Sequence, residues 1–106
     1  MARAALDKKA EDLLLLDIRK LTAMADYFII CSGNTSRQAK AIADEIDYRM
    51  SAERILPHHV EGIPECRWVL MDYGDVIVHV FDAEARDYYY LEGLWDDAAR
   101  VEVKDK

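Results

Sequence analysis

The stretch WVLMDYGDVIVHVF, Trp68 to Phe81, decides the fold. Its two halves are rich in the aromatic and β-branched residues that strands favour, and Tyr73-Gly74-Asp75 between them suits a tight antiparallel turn. Strand alternation puts Trp68, Leu70 and Asp72 on one face and Val69, Met71 and Tyr73 on the other, so one of these faces is core. Upstream, Tyr27 to Cys31 (YFIIC) and Asp12 to Ile18 (DLLLLDI) are short apolar runs bounded by charge, the pattern of buried strands. Gly33 ends the first of these runs, and Thr35, three residues before Gln38, is placed to cap a helix. That helix carries Ala39, Ile42, Ala43, Ile46 and Met50 at helical spacing, with Arg37, Lys40, Asp44, Glu45 and Asp47 elsewhere around it. Residues 2–11 favour a further helix, and His58 to Val60 an extended segment. Downstream, Asp82 can cap a last helix that keeps Ala85, Tyr88, Leu91 and Trp95 in phase. Helix, strand, strand, helix, three strands, helix predicts an α/β fold. We expect a single domain over 1–106, with a mixed sheet of about five strands covered by helices.

Charge narrows the function. The 106 residues carry 21 acids against 14 bases, a net charge of -7. Such a chain repels a phosphate backbone, which disfavours direct nucleic-acid binding and favours a basic protein partner. Two cysteines, Cys31 and Cys66, are too few for a disulfide framework and suit a reducing compartment. The leucines at 13–16 fall far short of a signal-peptide core or a membrane span, so a cytoplasmic protein is expected. His58, His59, His79 and the cysteines are scattered without metal-ligand spacing, and no metal site is expected. His79, inside an apolar strand, reads as a buried histidine with a hydrogen-bonded ring nitrogen. Six acids against Arg86 alone mark residues 82–97. Tyr88, Tyr89 and Tyr90 cannot all lie on one helix face, so at least one is expected at the surface.

Taken in order, DYFIICSGNTSRQAKAIADEI (Asp26 to Ile46), VEG (Val60 to Gly62), WVLMDYGDVIVHVF (Trp68 to Phe81) and LEGLW (Leu91 to Trp95) resemble the successive blocks of the ribosomal silencing factor, or Iojap-like, family. One departure is Met24-Ala25 before Asp26, where the family often has a hydroxylated residue. The resemblance implies a non-enzymatic factor with no cofactor and a nucleotidyltransferase-like topology. It implies docking on the large ribosomal subunit through ribosomal protein L-fourteen, which blocks association with the small subunit and represses translation. It also implies a homodimer when free. By the same resemblance Trp68, Met71, Asp72 and Tyr73 are assigned to the docking surface, and Asp75 adds a carboxylate at the same strand end. The competing reading is that Trp68 and Met71 are core.

Two other functions are weighed. An adaptor for large-subunit assembly would use the same surface with a different outcome. A residual nucleotidyltransferase would hold phosphate on Gly33 to Ser36 at a helix N-terminus. Two-metal phosphoryl transfer also needs acids converging on the ions, commonly on alternate residues of one strand, and after Asp75 the chain offers Val76, Ile77, Val78 and His79. A capped strand-to-helix turn is the preferred reading of Gly33 to Ser36.

Overall fold

The computed structural model describes residues 1–103. Its elements are α1 (Ala2–Asp7), β1 (Glu11–Asp17), β2 (Tyr27–Gly33), α2 (Ser36–Ala52), β3 (His59–Glu61), β4 (Trp68–Asp72), β5 (Val76–Asp82), α3 (Ala83–Tyr89), α4 (Leu91–Leu94) and β6 (Ala99–Val101). One six-stranded sheet runs in the order β3-β4-β5-β2-β1-β6. Its central pair, β2 and β5, is parallel, and every other pairing is antiparallel. The parallel pair needs a long crossover, which α2, β3 and β4 supply.

Alternation along the central strands builds two cores. Ile29, Cys31, Val69, Met71, Val78 and Val80 face α1 and α2, whose Ala4, Ala5, Ala39, Ile42 and Ile46 close that layer. Phe28, Ile30, Ile77 and Phe81 face the other way, against Ala85 of α3 and Leu91 of α4. The apolar runs are nearly unbroken because both faces of β2 and β5 are covered. The Thr35 hydroxyl accepts from the Gln38 amide at 3.1 Å, so the expected cap of α2 forms. The β4–β5 turn closes with the Tyr73 amide donating to the Val76 carbonyl at 2.9 Å, and Gly74 takes φ +89° there. Gly62, after β3, has φ +87°, and a Cβ on it would lie 2.0 Å from the Trp68 carbonyl oxygen. Only glycine permits that close approach of the β3 end to β4.

Two features differ from the sequence reading. The expected last helix is broken at Tyr90, which lies in the left-handed region at φ 48°, ψ 50°, and divides it into α3 and α4. The ring of Tyr90 lies close over Gly93, where a Cβ would stand 2.3 Å from the ring carbon Cε2. Leu91 still reaches the core, so the apolar spacing survives the bend. A sixth strand, β6, pairs with β1. Three exposed residues make no apolar run, and β6 owes its place to pairing rather than to its own pattern.

Candidate functional site

The five residues assigned to docking divide by face. Trp68 and Asp72 are half-buried and Asp75 is exposed, whereas Met71 and Tyr73 are only 2 % and 9 % accessible. Met71 and Tyr73 alternate with Trp68 and Asp72, and α2 covers their side, so they form the floor beneath a surface rather than the surface itself. The expectation that they contact a partner directly is corrected on that ground. Burial pushes the Tyr73 hydroxyl up to about 12, with the charge of Asp47 adding to it. Trp68 pairs in register with Phe81 at one end of β4, and Asp72 pairs with Ile77 at the hairpin end. They lie four steps apart along the strand, roughly 13 Å, so the set forms a strip rather than a pocket.

The Trp68 end is aromatic. Its indole lies over Phe81 at 5.0 Å between ring centres and against Tyr89 at 4.8 Å. Tyr88 continues the cluster at 5.0 Å from Tyr89. Tyr88, Tyr89 and Tyr90 are all exposed, as is Leu94. A shallow hollow of about 200 Å³ is lined by Trp68, Leu70, Glu61 and Gly62. The other end is acidic. Asp72 accepts from the Gly74 amide at 2.8 Å, and its cross-strand neighbour His59 contacts Glu61 at 2.6 Å. An aromatic anchor beside carboxylates is the composition that binds a basic protein surface. Leu70 is legible from sequence on the face of Trp68 and Asp72, and Tyr89 as one of three tyrosines of which at least one is expected at the surface, but the fold alone brings Glu61 to this strip and Tyr89 against Trp68.

His79 lies behind Trp68. It is 4 % accessible, its Nδ1 accepts from the Trp68 Nε1–H at 3.1 Å, and Phe28 meets its ring edge-on at 4.8 Å. Burial lowers its pKa from 6.5 to about 4. Below pH 6.5 the unfolded chain therefore binds a proton that the folded chain refuses. The stabilisation is complete above 6.5 and is lost as pH falls through about 4, up to roughly 3 kcal/mol in all. Thermal melts between about pH 7 and pH 4 should show this loss, and His79→Leu should lose less over the same window.

The alternative phosphate turn has a different geometry from the one catalysis needs. In the parallel register Gly33 stands beside Asp82, and Tyr27 beside Val76. Gly33 to Ser36 and Asp75 are thus at opposite ends of the sheet, about 20 Å apart along β5. Of the acids near the turn, Asp82 is committed elsewhere, one oxygen accepting from the Ala85 amide at 2.7 Å and the other 3.6 Å from Arg67, and Glu11 meets the Asn34 amide at 2.8 Å. Among the described residues no group of three or more His, Cys, Asp and Glu side chains is placed to hold a metal. Burial raises the Cys31 thiol to about 12, which suits a packing role. No described helix is long and apolar enough to cross a membrane.

The geometry defines a class: a mixed-sheet α/β domain with one sheet face left partly open as an aromatic, carboxylate-edged strip. The family follows from comparison. The model of the family described as "Ribosomal silencing factor during starvation" matches residues 1–106, and the chain belongs to that family. It is 50 % identical to the ribosomal silencing factor RsfS of Bacillus subtilis over 102 residues, 96 % of this chain and 86 % of that protein. It is 32 % identical to the chloroplastic protein Iojap of Zea mays, covering 97 % of this chain and 45 % of that longer protein. A crystal structure of a Bacillus halodurans protein superposes with a TM-score of 0.86 at 41 % identity, over 96 % of this chain and 92 % of that one. A Chromobacterium violaceum protein gives 0.86 at 37 % identity, over 90 % and 79 %.

Proposed function

We propose that this chain docks on the free large ribosomal subunit through the β4 strip and sterically prevents the small subunit from joining. The observation that carries the reading is the half-exposed Trp68, packed on Phe81 and Tyr89 and sharing its strand face with Asp72. The name of these relatives, ribosomal silencing factor, supports the same reading. The contact on the subunit is ribosomal protein L-fourteen. Trp68 is the anchor, Asp72 and Asp75 meet its basic side chains, and Met71 and Tyr73 hold the strand from below. The chain acts in the cytoplasm and pairs as a homodimer when free.

Silencing of this kind makes and breaks no bond. A factor that binds only unjoined subunits draws the joining equilibrium back in proportion to its concentration over its dissociation constant. Carboxylates at the strip's edge make the docking sensitive to salt, because charges in contact with solvent are screened over about 10 Å at 0.1 M. Purified large subunits should carry the protein down in sedimentation at low salt and release much of it near 0.5 M salt. Binding that is indifferent to salt would contradict a carboxylate-edged contact, and absence of binding at low salt would contradict docking.

A further inference from the structure

His79 is a costly residue for its position. A neutral imidazole has one N–H and one bare nitrogen. The Trp68 indole can only donate, so Nδ1 is the bare nitrogen and the ring hydrogen sits on Nε2. That Nε2 is buried without a hydrogen-bond partner. An apolar side chain packed against Phe28 and Phe81 would leave no polar atom orphaned there. What it could not do is accept from Trp68. Its ring contacts with Phe81, Tyr89 and His79 itself hold the indole by packing, without fixing the direction of its N–H. A turn of the ring would carry Nε1 away from Nδ1 and leave that buried nitrogen without its donor, so the bond favours the orientation seen.

We propose that His79 is a positioning residue for docking: its Nδ1 fixes the orientation in which Trp68 meets the partner. This rests on the docking role of the β4 strip. A preorganised anchor loses less freedom on binding, so the histidine acts on affinity without touching the partner. Because His79 acts through the Trp68 N–H, the effects of deleting donor and acceptor do not add.

The test is a double-mutant cycle on binding to purified large subunits, read beside the nuclear magnetic resonance signals of the two indole N–H groups. His79→Leu and Trp68→Phe should each weaken binding by about three- to tenfold, and the double variant no more than the worse single one. His79→Asn, whose amide oxygen can accept in place of Nδ1, should bind within about threefold of wild type. The Trp68 indole signal, identified by its loss in Trp68→Phe, should exchange slowly with solvent in wild type and His79→Asn and fast in His79→Leu. Trp68→Phe removes the donor while keeping an aromatic ring, and guards against a folding defect in His79→Leu. Wild-type binding by His79→Leu, or losses that simply add, would overturn the positioning role. Undiminished binding by Trp68→Ala would instead overturn the docking reading on which it rests.

Discussion

Trp68→Ala should weaken binding to isolated large subunits by about thirtyfold or more, the range of a central aromatic anchor. The residue combines the features that concentrate binding energy: a large rigid ring, packing on Phe81 and Tyr89, and an exposed remainder. Removing it also strips a ring from the folded protein. Circular dichroism and urea melts must therefore show a native fold under the binding conditions. Trp68→Phe, which keeps an aromatic ring but not the indole N–H, should lose about three- to tenfold, less than Trp68→Ala. Adding Asp72→Lys should lower the association rate and reduce the salt dependence rather than repeat the anchor's effect, because an edge charge steers encounter. Titration of labelled protein with large subunits measures both, and less than a threefold loss for Trp68→Ala would move the docking site elsewhere.

The second large effect is on stability. Arg86 is 6 % accessible and ties α3 to the sheet, donating to the Asp12 carbonyl at 2.8 Å and pairing with Glu92 at 3.1 Å. It also lies 3.5 Å from the Ser32 hydroxyl, so one side chain links α3, α4, β1 and β2. Arg86→Met leaves the Glu92 carboxylate largely enclosed without its counter-charge, and a broken buried pair costs about 3 to 5 kcal/mol. Glu92 already has one buried oxygen without a hydrogen-bond partner, which deepens the penalty. Urea unfolding should show this as a lower midpoint at unchanged slope. The double variant Arg86→Met with Glu92→Met should recover most of the loss, since an apolar pair leaves no stranded charge. A single variant within about 1 kcal/mol of wild type would mean that α3 is held by its apolar contacts alone.

The strands and the long helix were legible for physical reasons that the structure bears out. Residues 27–31 and 76–82 carry runs that only a covered sheet accommodates, residues 68–72 alternate between a covered and a half-open face, and Thr35 and Asp82 cap the helices that follow. The side of the sheet covered by α2 was less open to reading, and Met71 and Tyr73, assigned to the docking surface by resemblance, lie on that covered side. A usable signal did exist. Asp72 shares a face with Trp68, and a carboxylate on one face of a strand marks that face as the wetter one. The bend at Tyr90 was hidden because Leu91 and Trp95 continue the helical spacing across it, and a tyrosine in the left-handed region has no signature in sequence. The bond between Trp68 and His79 was half legible: the histidine was expected to be hydrogen-bonded, but its partner came only with the cross-strand neighbourhood.

Subunit joining is the most direct measurement. Purified large and small subunits are mixed at low salt with increasing amounts of the protein and resolved by sedimentation. Steric silencing requires joined particles to fall as the protein appears on the large subunit, with half-loss near its dissociation constant for that subunit. Trp68→Ala should need at least about thirty times more protein for the same effect. Joined particles that persist while the protein sits on the large subunit would contradict silencing by occlusion and leave docking without that consequence.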